Sequence, residues 1–191
     1  KATGGAAILL GFLFLGCEPK PQPPAQPAEV KQFAADANGF ALDLFRDLAR
    51  TPENVVFSPY GLYEALAMTG AGASGATAQE LRALLRATLP EDRLFRAAST
   101  LDEELKTMPG WPKMKTPSSF RVGNGLWIDR EWPVAPAFRK TMETAFQAAI
   151  ENLDFKGAPR EALGRINGWT SRATEGRIPA ILERVEPNTR V

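Results

Sequence analysis

The sequence predicts an α+β fold, and three observations predict it. Apolar residues recur at steps of three and four over six stretches, the signature of amphipathic helices. A few shorter stretches alternate, or run apolar, in the manner of strands. The two kinds do not alternate strictly along the chain, which argues against a doubly wound parallel sheet. No internal repeat interrupts this pattern.

Taken in order, residues from Glu29 to Arg50 place Phe33, Ala37, Phe40, Ala41, Leu44, Phe45 and Leu48 on one helical face. Thr51-Pro52 ends that helix, because proline lacks the amide donor and its ring blocks continuation. Asn54 to Phe57 is a short buried-strand candidate. Ser58-Pro59 then supplies an N-cap hydroxyl and a proline at the first helical position, opening a helix with Leu62, Ala65, Leu66 and Met68 in register. Gly70, Gly72 and Gly75 break it. Thr77 to Glu80 reads as a capping box that launches the next helix, with Leu81, Leu84 and Leu85 as its stripe.

A further helix opens at Pro90 and runs to about Lys106, followed by a proline- and lysine-rich loop from Pro109 to Pro117. Phe120 to Ile128 alternates with period two, which puts Phe120, Val122, Leu126 and Ile128 on one face. Pro136 to Phe146 is helical, with Phe138, Met142, Ala145 and Phe146 on one side. Ala148 to Phe155 reads as a second strand. Pro159 to Glu175 is the last helix, with Ala162, Ile166, Trp169 and Ala173 in register.

The start of the chain reads as an address. Ala6 to Gly16 is an uninterrupted apolar or glycine run behind Lys1. It is too short for a helix spanning a bilayer, which needs roughly 20 apolar residues, and has the length of a signal-peptide core. The run closes on Gly16-Cys17, which resembles the lipobox of bacterial lipoproteins, although Phe14 stands where leucine is usual. Residues 1–17 are accordingly expected to be a signal peptide ending at a lipid-modified Cys17, with Glu18 favouring an outer-membrane location. An ordinary secretory signal is the alternative. Residues 18–28 carry five prolines between 19 and 27 and read as a stiff polyproline spacer. The folded domain is expected over residues 29–191.

Composition excludes much conventional chemistry. The chain of 191 residues has no histidine and a single cysteine. Ser-His and Cys-His nucleophiles, histidine metal sites, internal disulfides and the usual pH switch are all ruled out. Twenty-three basic against 22 acidic residues leave no global field for nucleic acid. Gly70 to Gly75 spells G-x-G-x-x-G, which would make a nucleotide-dependent enzyme. The fingerprint requires a strand leading into the glycines, however, and Tyr60 to Thr69 has a helical composition. A P-loop reading fails as well, because Ala76 stands where the phosphate-binding lysine would be. No cofactor is expected.

Several segments together resemble the serpin family. Asn54-Val55-Val56-Phe57-Ser58-Pro59 is similar to the family's strand and the start of its second helix. Ala65-Leu66-Ala67-Met68, followed by Gly72 to Leu81 with Gly75 and Thr77, resembles its A-L-A-M and G-A-x-G-x-T-x-x-E segment. Asn124-Gly125-Leu126-Trp127 is similar to a strand usually written N-A-L-F. Leu153-Asp154-Phe155 and then Ile166-Asn167-Gly168-Trp169, Thr174 and Ile178 resemble a V-D-F strand end and the helix that lies across the family's main sheet.

The resemblance implies serpin-like N-terminal helices with part of the large central β-sheet, an incomplete serpin fold. It implies an inhibitor of serine proteases, with cysteine proteases as a further target class, and no enzymatic activity. Family members inhibit by offering a reactive loop that is cleaved and then inserts into the large sheet. That loop is expected beyond Val191. The positions that the resemblance marks as shutter or structural are Asn54, Ser58, Pro59, Gly75, Thr77, Asn124, Asn167, Trp169 and Thr174, with Ser58 and Pro59 at a buried helix start. A non-inhibitory lipoprotein of the same fold is the alternative.

Overall fold

The computed structural model describes residues 23–50, 53–107, 120–186 and 188–191. Cys17 and the apolar run before it, Thr51-Pro52 and the Pro109 to Pro117 segment lie outside the described residues. Among the described residues, six helices and a two-stranded parallel sheet follow the expected order.

Helix α1 (Pro27–Leu48) begins two residues before the expected Glu29. Glu29 reaches back to the Gln26 amide at 3.0 Å, and Pro27 occupies a first-turn position whose missing amide costs nothing. Ala25 is buried and its amide donates to Thr100 Oγ1 at 2.9 Å. The last residues of the proline-rich stretch are therefore part of the packed structure. Its apolar face buries Val30, Phe33, Ala37 and Phe40, while Leu42 and Phe45 remain exposed.

The strand expected over Asn54 to Phe57 does not form. A strand requires a ladder partner, and none of the described residues pairs there; Val56 is 97% exposed. Helix α2 (Pro59–Ala71) does start behind Ser58, whose Oγ accepts the Gly61 amide at 3.3 Å. Helix α3 (Gly75–Leu84) starts two residues earlier than the Thr77 box predicts. Gly75 adopts φ +60°, a conformation open to glycine, and turns the chain into the helix directly after an extended Ser74. The stripe on α3 also splits: Leu85 is buried, whereas Leu84 is 54% exposed. Helix α4 (Glu91–Thr107) presents Leu94, Ala97, Ala98 and Asp102 inward.

Strand β1 (Gly125–Asp129) is shorter than the alternating stretch that predicts it, because residues 120–124 approach without ladder pairing. Helix α5 (Pro136–Ala145) crosses over to strand β2 (Ala149–Leu153), as a parallel pair demands. Register runs from Gly125↔Ala149 to Asp129↔Leu153. Helix α6 (Pro159–Ala173) closes the order.

The sheet separates two apolar clusters. On one face, Leu126 and Ile150 meet the main core of α1, α2, α4 and α5, where Tyr63 is wedged edge-on against Phe33 (5.2 Å) and Phe40 (5.8 Å). On the other face, Trp127, Leu153 and Phe155 pack with Ala162 and Ile166 of α6. Alternation of side chains along each strand produces this division.

Candidate functional site

An open groove of about 830 Å³ lies between α2 and the chain that leads through β1. Ser58, Tyr60 and Gly61 line one end. Residues 120–126 and Ile128 form a wall together with Phe138 of α5, so both faces of the period-two stretch contribute to it. Val191, largely exposed, lines the groove as well. There the free edge of β1 is met by the end of the chain, since the Asp129 amide donates to the Arg190 carbonyl at 2.8 Å.

Asn124 fastens the groove to the core. Its Nδ2 donates to Glu64 Oε2 at 3.2 Å and to the Phe146 carbonyl at 3.1 Å, while its own carbonyl accepts the Ala149 amide at 2.9 Å. The side chain thus joins the middle of α2 to the end of α5, and the backbone carbonyl of the same residue ties in the start of β2.

Below Asn124 sits a pair of acids that the sequence reading passed over. Glu64 on α2 has no exposed surface, and Asp102 on α4 is 2% exposed. The Tyr60 hydroxyl stands between them, 2.9 Å from Asp102 Oδ1 and 3.3 Å from Glu64 Oε1. Burial, reinforced by the Asp102 charge, pushes the Glu64 carboxyl up to about 7. Burial raises Asp102 too, and burial with both neighbouring acids raises the Tyr60 phenol. A signal for these residues existed. Asp102 continues the i+4 row of Leu94 and Ala98, and Glu64 stands one turn beyond Tyr60 inside an apolar helix.

The remaining marked residues fall into two groups. Asn167, Trp169 and Thr174 share α6 or its C-cap. Asn167 Nδ2 donates to the Leu182 carbonyl at 2.8 Å, and its Oδ1 accepts the Ile181 and Leu182 amides at 2.9 and 3.1 Å. Thr174 Oγ1 accepts the Ile178 amide at 3.0 Å. Trp169 meets Trp127 edge-on, with ring centres 5.1 Å apart. By contrast, Asn54, Gly75 and Thr77 are exposed and away from the groove lining. Ser58 is exposed as well and lines the groove, so the helix start expected to be buried is open at this residue. Pro59 is half-buried beside it. Among the described residues, no group of three or more acids and cysteines could hold a metal ion, and no helix is long and apolar enough to cross a membrane.

The pattern of the family described as "Serpin (serine protease inhibitor)" matches residues 35–191. The chain belongs to the serpin family. An uncharacterized serpin-like protein of Thermococcus kodakarensis is 32% identical over 154 residues, which are 81% of this chain and 35% of that one. The leukocyte elastase inhibitor of Xenopus tropicalis is 31% identical over 157 residues, covering 80% of this chain and 40% of the relative. The fold agrees: a thermophilic serpin, tengpin, in its latent state superposes with a TM-score of 0.72 at 22% identity, over 88% of this chain and 43% of tengpin. This serpin chain therefore spans well under half the length of these relatives. The family is described as one of serine protease inhibitors, and Gly70 to Gly75 lie at the α2–α3 junction, where a helix rather than a strand leads into them.

Proposed function

We propose that the whole protein to which these residues belong inhibits serine proteases by the serpin route, in which a cleaved reactive loop inserts into the large sheet and traps the protease. The observation that carries the reading is the family match over residues 35–191, among relatives of which one is named an elastase inhibitor. The free edge of β1 beside the apolar groove is consistent with a sheet built to gain strands. In this reading Ser58, Tyr60 and Asn124 lie where the sheet slides over α2, and the α6 residues hold the helix that crosses the sheet. The test is irreversible, one-to-one loss of activity when the full-length protein is titrated into a serine protease.

We also propose that the protein lies in the bacterial envelope, tethered through Cys17 and held off the membrane by the proline-rich residues that precede Ala25. The apolar run ending at Gly16-Cys17 supports it. Palmitate labelling of the complete gene product, compared with Cys17→Ala, tests it: equal labelling of both contradicts the anchor.

A further inference from the structure

The chain has no histidine, yet it buries a pair of titratable groups at a structural junction. Glu64 and Asp102 together offer four carboxyl oxygens. The donors turned toward them are the single Tyr60 hydroxyl proton and one proton of the Asn124 amide, whose other proton goes to the Phe146 carbonyl. From α4, the Lys106 charge favours ionised Asp102 without bonding to it, since its ammonium donates to Glu103 (3.2 Å) and Gln147 (2.7 Å) instead. Glu103 is itself occupied by Lys106 and Gln147 at the surface. From α1, Asp36 faces away and accepts from Gln32 and Thr88. Two carboxylates without a buried counter-charge cannot both stay ionised, so the junction keeps a proton.

We propose that Glu64 and Asp102 form a proton-operated latch, which fastens α2 to α4 beneath the groove and releases as the surroundings turn alkaline. In the latched state the two carboxyls share the retained proton, and Tyr60 and Asn124 satisfy the outer oxygens. When the proton leaves, two negative charges face each other across the α2–α4 contact. Tyr60 has one proton and quiets at most one of them, so the helices part at this point and Tyr60, which lines the groove, moves with them. The latch depends on residues of this chain alone and stands whether or not the protein traps proteases.

The sign of the effect follows from the direction of the shift. Glu64 holds its proton up to about pH 7 when folded and gives it up in the ordinary carboxyl range when unfolded. The stabilisation is complete below the ordinary range, fades as pH rises toward 7, and is gone above it.

The experiment follows the side-chain carboxyl carbons of glutamate by NMR in the full-length protein, together with urea unfolding at pH ~5.5 and ~8. In the wild type one glutamate titrates near 7, and the signal vanishes in Glu64→Gln. The folding equilibrium constant of the wild type falls at least about tenfold more between the two pH values than that of Glu64→Gln. In Asp102→Asn, which removes the facing charge, the Glu64 titration moves downward; this variant and the wild-type titration decide the matter should Glu64→Gln not fold. All glutamates titrating in the ordinary range, or parallel pH profiles for Glu64→Gln and the wild type, overturn the latch.

Discussion

Asn167 and Leu182 exchange a reciprocal pair of hydrogen bonds, side chain to backbone: the Asn167 amide donates to the Leu182 carbonyl at 2.8 Å, and the Leu182 amide returns to Asn167 Oδ1 at 3.1 Å. The carboxamide behaves as a strand neighbour would. Segment 178–182 has no regular structure of its own, so its backbone groups depend on such side-chain partners. Thr174 adds one more by accepting the Ile178 amide.

Removing that pair releases the segment. Asn167→Ala is expected to cost ~1–3 kcal/mol and to speed proteolytic cleavage within residues 178–186, because three backbone bonds are lost together. Unchanged cleavage in a limited-proteolysis time course would show that the segment is held by something else.

A second expectation comes from the place where the chain departs from the family's N-A-L-F strand. Here Gly125 precedes Trp127 by two residues, and a Cβ at Gly125 would come within 2.9 Å of the Trp127 ring atoms Cζ2 and Cζ3. Trp127 has no easy retreat, since Trp169 lies against it. The small residue and the large one compensate. Gly125→Ala is expected to destabilise by ~1–3 kcal/mol through overpacking, and the added change Trp127→Phe to recover most of the loss. Thermal melts of the single and double variants check this; equal losses in both would refute the compensation.

Much of this architecture is legible in the sequence, and the misses have identifiable causes. Local signals held wherever the structure needs nothing distant: Ser58-Pro59 starts α2, and Pro136 and Pro159 sit in the first turns of α5 and α6. The period-two run from Phe120 marks the stretch that lines the groove but not one face of it, since residues 120–126 all line it and only five residues pair in β1. Asn54 to Phe57 has strand composition without a described partner, and composition cannot supply one. Thr77 to Glu80 has the letters of a capping box, but the positive φ of Gly75 starts α3 first. Glu64 and Asp102 escaped because an acid in an apolar row reads as an exception until the facing helix is in view.

The groove also predicts a solution property. Phe120 is 44% exposed, and Val122, Leu126 and Phe138 are only half-buried along the groove, beside a strand edge met at Asp129 alone among its described backbone bonds. Residues 28–191 prepared alone are expected to be helical by far-UV circular dichroism, to bind a hydrophobic dye and to aggregate. A sharp cooperative melt without dye binding would mean that the groove closes by itself.

The central claim is inhibition by covalent trapping, and the most direct measurement is the mass of the product. The full-length protein is incubated with trypsin-like, chymotrypsin-like and subtilisin-like proteases, then denatured and analysed by gel and mass spectrometry. The account predicts a one-to-one adduct with at least one of them that survives denaturation, and none from residues 28–191 alone. Complete cleavage of the protein with every protease left free and active would contradict it.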